Sequence, residues 1–485
     1  MSGSWLYVAG FAADIDPATI DGGTMAAPRT ITPLSEERLF ELHELFFSTT
    51  DKAGVIRYGN GVFSRVAHYS LEEMVGRPHN IIRHPDMPKC AFRLVWDYLE
   101  RGRIVGAYVK NLASDGRFYW VVALIMPTPD GYLSIRLKPS SAVFPMVQGV
   151  YAAALRAEED AKRAGKSNQE QMDAGAAVIL EALGSLGFAS YDEFLRAMVA
   201  AELTSRAAGV GNRSGACERA MRARGGGGER RLVDLLGEAC AIGQRLSDVV
   251  TRPGGFSTLQ EQIIPKSRFI LDLGESIRLF AVNSQIQAAR LGDSARAMAV
   301  VSGQVAELAD RGAETISRLN ETLHGLVEPI AALVFDVMIA SVQIEMAAMF
   351  VDEILGAGSE DRGVLDENLE VLFRTFLDHI ERVPESLGRL QAGLRRIDDE
   401  IARLHTMMRT MRYVYLGGKI EVATYTERTG YSELFTQLQK MIEEAEGALA
   451  DLHEHVVSNR GQVHALHSVD AEAAARIRGM LASAA

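Results

Sequence analysis

Segment 76–92, GRPHNIIRHPDMPKCAF, concentrates side chains that can do chemistry. Arg83, His84 and Asp86 stand close together in it and offer hydrogen-bond donors, acceptors and both signs of charge. Arginine and histidine donors suit a pyrophosphate or ring carbonyls, and an aspartate can hold the polar edge of a ligand. In a structural alternative, the prolines of the segment set a turn and the polar side chains form a capping network. The residues alone leave a binding loop and a folding loop both open.

The surrounding chain predicts a small α+β domain that would position this segment. From about residue 39 to residue 137 it is rich in β-branched and aromatic residues, interrupted by turn dipeptides. Strand-like runs at 104–112, 117–126 and 132–137 are separated by Asp-Gly turns, which is typical of an antiparallel meander. A helix-like run, AFRLVWDYLERG, precedes these strands.

Beyond Pro139 the composition changes to Ala, Leu, Glu and Arg, which predicts helices without strands. Apolar residues recur there at alternating steps of three and four, as a coiled-coil seam requires. One seam comprises Ile316, Leu319, Leu323, Leu326, Ile330, Leu333, Val337 and Ala340, and an upstream seam comprises Ile263, Ile270, Leu273, Ile277 and Phe280. A turn near Leu291 would join the two helices into an antiparallel hairpin, and Pro329 is expected to kink or interrupt the second one.

These changes in composition predict the domain organisation. The expected parts are a disordered tail at 1–35, an α+β domain at 36–140, a helical connector at 141–221, a flexible loop at 222–231 and an all-α, coiled-coil-like bundle at 232–485. The loop assignment depends on the glycine run RARGGGGERR.

Composition and charge exclude several classes of function. The 51 basic and 63 acidic residues give a formal charge of −12, which disfavours nucleic acid as a partner. Polar residues interrupt the apolar stretch at 330–355, so no membrane span is predicted, and residues 1–31 do not resemble a signal peptide. The three cysteines are far apart and predict neither a disulfide framework nor a structural zinc site. We therefore expect a soluble, cytoplasmic protein.

No pattern in the sequence indicates an enzyme or a metal site. A catalytic triad, a P-loop and a cyclase-like motif are not found. The histidines between 453 and 467 form HxH and HxxH pairs, which lack the i, i+4 spacing of paired metal ligands on a helix.

The order of predicted elements is that of a PAS domain, and the motifs make the resemblance narrower. Residues 46–138 resemble the sensory PAS domain of bacterial aerotaxis transducers through GRPHNIIRHPDMP, VKN, YW and GYLSIR. In that family the domain encloses FAD, and the redox state of the flavin reports respiratory energy. The resemblance implies a cofactor site that contains Asn60, Arg83, His84, Asp86 and Asn111.

One departure from the family leaves the occupant of this pocket open. A tryptophan usually lies a few residues before VKN, whereas this chain reads RGRIVGAYVKN there. An empty or different pocket is therefore an alternative to flavin. Haem is a further alternative, with His79 or His84 as the axial ligand.

Residues 279–312 resemble the signalling hairpin of methyl-accepting chemotaxis proteins in a degenerate form. The hairpin tip of that family contacts a histidine kinase and its coupling protein, and its members are dimers. The matching positions are Asn283, Gln287, Arg290, Asp293, Arg296 and Val300. Gln287 replaces an acidic residue of the family, which puts docking to the usual kinase complex in question.

A faint internal similarity accompanies this hairpin. Residues 415–447 can be aligned with 281–312, so that Ile286 meets Ile420 and Ala289 meets Ala423. An internal duplication and two unrelated amphipathic hairpins both explain the pattern.

Taken together, the sequence predicts a soluble sensory transducer for redox, oxygen or energy taxis. A PAS-bound flavin would pass its state to a helical hairpin that contacts a chemotaxis kinase complex, and the protein would be a homodimer. The alternative is a scaffold that binds a partner through the PAS domain and dimerises through its helices.

Overall fold

The computed structural model describes residues 31–210, 217, 227–251, 269, 272, 274–286, 289, 296–356, 362–422, 431–467 and 470–482. The chain divides into two compact units, Met1–Arg213 and Ser214–Ala485. Of the tail predicted at 1–35, only residues 31–35 are described, and Leu34 among them donates its N–H to the carbonyl of Gly116 at 2.7 Å.

The first unit is built on one antiparallel sheet of five strands in the order β2-β1-β5-β4-β3. The strands are β1 Leu45–Asp51, β2 Ile56–Gly59, β3 Val105–Leu112, β4 Phe118–Thr128 and β5 Gly131–Leu137. The last three confirm the predicted meander within two residues at each end. Gly116, in the turn between β3 and β4, has a φ of +88°, a conformation that glycine adopts without steric cost.

Helices precede and follow the meander. They are α1 Gly61–Ala67, α2 Leu71–Met74, a 3-10 helix His79–Ile82, α3 Lys89–Glu100, α4 Val143–Arg163, α5 Asn168–Ser185 and α6 Tyr191–Val210. Capping boxes begin α2 and α5, in which Ser70 and Ser167 exchange hydrogen bonds with Glu73 and Glu170. The predicted helix after the PDMP motif is α3.

The strand register separates the two faces of the sheet. Phe46, Ala123 and Arg136 are neighbours on one face, which packs against α1, α2 and the 3-10 helix and which we call the inner face. On the outer face Gly106 lies beneath α6, where an added Cβ would stand 2.8 Å from Leu195. A larger residue there would have to displace the ends of Leu195 and Leu124, so glycine favours this close approach of helix and strand.

The connector helices belong to the first unit and are fastened to it by buried carboxylates. On α4, Glu158 accepts hydrogen bonds from the backbone N–H groups of Lys89 and Cys90, both at 2.8 Å, and so caps the first turn of α3. On α6, Glu202 accepts from the Tyr108 hydroxyl at 2.6 Å and from the N–H of Ser140 at 2.7 Å. The outer face of the sheet is thereby linked to α6.

The second unit is helical throughout its described residues. Its helices are α7 Gly227–Thr251, α8 at 274–286, α9 Arg296–Gly356, α10 Arg362–Ile380, α11 Val383–Val422, α12 Tyr431–His467 and α13 Asp470–Ala482. The central helix α9 packs against α7, α10 and α11, and α11 packs against α12. Every residue of the predicted seam from Ile316 to Ala340 is buried, which confirms that periodicity. Of the upstream seam, Ile277 and Phe280 are buried and the other three positions lie outside the described residues.

Three expectations about this unit differ from the structure. Helix α9 continues through Pro329 without interruption, because seam residues such as Leu326 and Ile330 are buried on either side of it. The flexible loop predicted at 222–231 is described only from Gly227, where α7 begins, since good helix formers follow the glycines. Cys217 and Cys240 form a disulfide, for which a spacing of 23 residues offered no local signature.

Of the part of the chain that the structure describes, one helical stretch, Ala299–Leu355, is long and apolar enough to cross a membrane. Core helices of soluble proteins pass the same test, and 39% of the apolar window of this stretch is buried in the structure.

Candidate functional site

A buried arginine on the inner face of the sheet is the centre of the candidate site. Arg136 of β5 is 3% exposed. Its Nη1 donates to Ser48 Oγ at 3.0 Å, its Nη2 donates to His79 Nε2 at 2.5 Å, and its guanidinium lies 5.0 Å from the ring centre of Phe63. Among the described residues no carboxylate forms an ion pair with it, and burial lowers the pKa of Arg136 to about 10. A buried cation without an anion is costly unless a ligand compensates it.

His79 accepts this hydrogen bond as a neutral imidazole. Burial, followed by the positive charge of Arg136, lowers the pKa of His79 well below its ordinary value. Because Nε2 accepts, the ring proton is on Nδ1. The imidazole stacks on Phe63 at 5.9 Å, and Phe63 stacks on Phe46 at 5.8 Å. Three parallel rings therefore lie beside the guanidinium.

Within the part of the chain that the structure describes, four further polar groups on the inner face are buried without a hydrogen-bond partner. They are Thr50 Oγ1, Asn111 Nδ2, Tyr119 OH and Ser134 Oγ. The register places Asn111 opposite Tyr119 and Ser134 opposite Ser48, so all four share a face with Arg136. Burial also raises the pKa of Tyr119, which keeps its hydroxyl protonated and able to donate. Each unsatisfied group costs about 1–3 kcal/mol, so the set is compatible with a ligand that has polar edges or with bound water.

These residues fit the flavin that the sequence predicts. The ring system of a flavin offers carbonyl and nitrogen acceptors on a flat apolar body. The guanidinium of Arg136, Nδ2 of Asn111 and the hydroxyl of Tyr119 are donors, and the aromatic rings of the inner face suit a planar group. The donors are also suited to an anionic ligand of another kind.

The motif residues Arg83, His84 and Asp86 lie along the outer edge of the sheet, beside the last strand, β3. Arg83 forms a bridge with Asn111, and the N–H of His84 donates to the carbonyl of Lys110 at 3.4 Å. Asp86 accepts from Lys110 Nζ at 2.6 Å, and its own N–H donates to His84 Nδ1 at 3.1 Å. This turn covers the edge strand and corresponds to the structural alternative considered for the segment.

The electrostatics of this turn follow from burial. Burial lowers the pKa of Arg83, whose guanidinium stands 4.2 Å from the ring centre of Phe92. Burial and then the charge of Lys110 lower the pKa of His84. His84 as a haem ligand would have to leave its contact with Asp86, and His79 would have to give up Arg136.

The two predicted asparagines have different surroundings. Asn60 is buried before α1, and its Oδ1 accepts from the N–H of Phe47 at 3.1 Å. It therefore joins the start of α1 to β1. Asn111 belongs to the unsatisfied set on the inner face. The structure thus places Asn111 on the same face of the sheet as residues that the sequence analysis did not assign to the cofactor, Arg136 above all. The sequence did hold a signal for Arg136, because an arginine at an inward position of the apolar strand GYLSIRL is a buried charge that needs a partner.

The predicted partner-binding residues of the hairpin are described in part. Asn283 is exposed on α8 and Val300 is 62% exposed on α9. Arg296 is the first residue of α9. Gln287, Arg290 and Asp293 lie outside the described residues.

Comparison with known proteins agrees with this architecture. Residues 56–132 match the family model of the PAS fold. The chain is 37% identical over 140 residues to the aerotaxis receptor of Escherichia coli strain K12, a stretch that covers 28% of this chain and 26% of that receptor. The chain thus matches about a quarter of the receptor's length.

Among solved structures, the chain is similar to LOV domains. The light-state LOV domain of the photoreceptor Aureochrome1 is 20% identical with a TM-score of 0.20, covering 21% of this chain and 88% of that one. The LOV domain of the Erythrobacter litoralis EL346 histidine kinase is 19% identical with a TM-score of 0.18, covering 19% of this chain and 90% of that one. Residues 56–132, with their antiparallel sheet and flanking helices, are a PAS domain related in sequence to that of an aerotaxis receptor.

Proposed function

We propose that this protein is a sensory transducer whose PAS domain binds FAD and whose helical unit carries the output. The observation that supports this proposal best is Arg136, a buried cation without a carboxylate partner among the described residues, on the same face as unsatisfied donors. The sequence similarity to an aerotaxis receptor favours redox, oxygen or energy taxis as the physiological setting.

A bound flavin would supply a redox-dependent charge at its ring. Arg136 would stabilise negative charge inside the PAS domain, and neutral His79 would hold the guanidinium in place. Because Arg136 is also bonded to Ser48, a change in its hydrogen bonding alters contacts of β1 and of the 3-10 helix. Such a change is the local event that a two-state transducer needs.

The outward path runs through the segment that follows β5. Ser140 and Ser141, three and four residues beyond the end of β5, both donate backbone N–H groups to Glu202 of α6, at 2.7 and 3.1 Å. A shift of β5 would thus be transmitted to α6, the helix from which the chain continues to the second unit. In this proposal the helical unit contacts a chemotaxis histidine kinase and its coupling protein in the cytoplasm, and no catalytic step is assigned to it.

A scaffold role is the second candidate, and the stacked rings favour it. Phe46, Phe63 and His79 fill part of the space above the sheet, as they would in a PAS domain that binds a protein partner without a cofactor. Haem remains a further candidate occupant.

The absorption spectrum of the purified full chain distinguishes these functions. Visible flavin bands that change on reduction with dithionite support the proposal. A Soret band would assign the pocket to haem, and a folded, colourless protein that cannot be reconstituted with FAD would favour the scaffold. Co-purification with the kinase and coupling protein of the same genome tests the output.

A further inference from the structure

The helical unit contains a disulfide close to the point where the chain leaves the first unit. Cys217 lies four positions beyond Arg213, the last residue of the first unit, and its sulfur is bonded to that of Cys240 in α7. The two Cα atoms are 6.5 Å apart, which is within the range that a disulfide spans. The bond closes a loop of chain that contains the glycine run at 225–228.

The two cysteines have the exposure of a pair that can react. Both are half-buried, whereas Cys90, the third cysteine of the chain, is buried. A small thiol such as glutathione can attack a half-buried disulfide, because exchange requires access to only one of its sulfurs. The sequence around Cys217 is also basic, with Arg213, Arg219, Arg222 and Arg224 against Glu218. Positive charge near a cysteine favours the thiolate, which is the form that takes part in exchange.

One end of the bond is fixed in the packed part of the helical unit. Beside Cys240, Ala239 and Ile242 are buried, at 0% and 1% exposure. Glu238, one position further, forms an ion pair with Arg476 of α13 at 2.9 Å, and α7 as a whole packs against α9. The bond therefore ties the other cysteine to a helix that is itself held in place.

The bond shortens the chain that joins the two units. The last helix of the first unit ends at Val210, seven positions before Cys217 and 17 positions before Gly227, where α7 begins. Since an extended chain spans at most about 3.5 Å per residue, the bonded chain is attached to α7 within about 25 Å of Val210. Without the bond, the chain first reaches α7 at Gly227, within about 60 Å. The bond thus limits how far apart the two units can be.

We propose that Cys217 and Cys240 are a reversible redox switch that sets the length of the tether between the PAS unit and the helical unit. In a reducing cytosol, protein disulfides are usually transient or redox-sensing, and the inference rests on the proposed function for this location alone. The oxidant is a low-molecular-weight disulfide such as oxidised glutathione. The two cysteine thiols lose two electrons and two protons and form the S–S bond, while the oxidant gains them and becomes two thiols. An excess of the reduced thiol reverses the reaction.

Peptide mass spectrometry after equilibration with glutathione tests the switch. The full chain is incubated at several ratios of oxidised to reduced glutathione, quenched with acid, alkylated with iodoacetamide in denaturant and digested with trypsin. Trypsin releases the two cysteines in the peptides SGACER and LVDLLGEACAIGQR. These peptides should be linked to each other in oxidising buffers. They should be separately alkylated in buffers as reducing as the cytosol, and Cys90 should join no disulfide in either.

Hydrogen exchange shows whether the bond changes the helical unit. Amide exchange at 227–239 of α7 should be slower by about tenfold or more with the bond than without it, because loop closure restricts the opening of this helix. Cys217→Ser and Cys240→Ser should each exchange like the dithiol form in both buffers. The matched control Cys90→Ser should keep the difference between the buffers. Far-UV circular dichroism verifies that each variant is folded.

Three results would overturn the inference. They are free thiols at Cys217 and Cys240 in the most oxidising buffer, a bond that persists in the cytosol-like buffer, and identical exchange of α7 in the two forms. The absorption spectrum of the same samples tests the proposed function separately. Flavin bands together with any of the three results would leave the sensing role intact, whereas a reversible bond in a colourless protein would refute only the flavin.

Discussion

Nη2 of Arg136 lies 2.5 Å from Nε2 of His79 on the inner face of the PAS sheet, and neither side chain has a carboxylate partner among the described residues. The pair joins β5 to the 3-10 helix that precedes the RHPDMP turn. A cation held by a neutral acceptor is prepared for a ligand with negative or polar edges. This relationship leads to the first two predictions.

Replacing Arg136 with methionine should abolish ligand binding without lowering the stability of the ligand-free protein. The variant loses the ligand, while the ligand-free protein becomes as stable as wild type or more stable by about 1–3 kcal/mol, because a buried charge without a counter-ion is removed. Urea denaturation of ligand-free samples measures the effect, with Arg57→Met on the exposed side of β2 as the control. A large loss of stability in Arg136→Met would show that the arginine has a structural role.

Acidification should destabilise the PAS unit through His79. The folded protein holds this histidine neutral below its ordinary pKa, whereas the unfolded chain takes up a proton near pH 6.5. The unfolded state therefore binds more protons below that pH, and the contribution of His79 to stability, complete above pH 6.5, is lost as the pH falls. In His79→Gln the dependence of the unfolding free energy on pH between 7 and about 5 should be flatter. An unchanged slope would contradict the neutral assignment.

A second histidine, in the helical unit, should also make the protein less stable as the pH falls. His379 of α10 is 3% exposed, its Nδ1 donates to the Thr375 carbonyl at 2.7 Å, and its Nε2 has no partner among the residues that the structure describes. Burial lowers the pKa of His379 to about 4, so its contribution is complete above about pH 6.5 and is lost towards pH 4. The difference amounts to about 3 kcal/mol. Denaturation at several pH values should show that His379→Leu removes this dependence, while His405→Leu, on α11, controls for losing a histidine. Equal slopes in both variants would contradict the prediction.

Glu202 should hold α6 against the sheet. Glu202→Ala leaves the hydroxyl of Tyr108 and the N–H groups of Ser140 and Ser141 without their acceptor. We expect the free energy of unfolding to fall by about 2–4 kcal/mol. Amide hydrogen exchange should accelerate in α6 more than in the strands. Glu181→Ala, an exposed position of α5, should have little effect. Unchanged exchange in α6 would show that Glu202 does not fasten it.

Cys90 should resist alkylation in the native protein. Burial, together with the charge of Glu158, raises the pKa of its thiol far above the ordinary value. Mass spectrometry after iodoacetamide treatment should find Cys90 unmodified in wild type and modified in Glu158→Ala, in which α3 loses its cap. Equal labelling of Cys90 in the two proteins would contradict this account.

The sequence predicted the PAS fold well because its signals are local. Asp-Gly turns, β-branched runs and the PDMP motif before α3 each specify structure within a few residues. The seam from Ile316 to Ala340 was equally predictable, since its period depends only on the helix.

The candidate site was predicted less completely because it depends on contacts between distant strands. Asn111 was identified through its motif. The inner-face position of Arg136, by contrast, is set only when β5 pairs with β1 and β4. Arg83, His84 and Asp86 were expected at the cofactor, but their sequence could not show that the turn lies along the edge of β3.

Titration of the ligand-free full chain with FAD, followed by quenching of flavin fluorescence, tests the central claim most directly. We predict saturable, one-to-one binding by wild type and by Arg57→Ala, and binding about tenfold weaker or more in Arg136→Ala, since hydrogen bonds to a charged donor are worth about 1.5–3 kcal/mol. Absence of FAD binding to the folded wild type, or equal affinity in Arg136→Ala, would contradict the account.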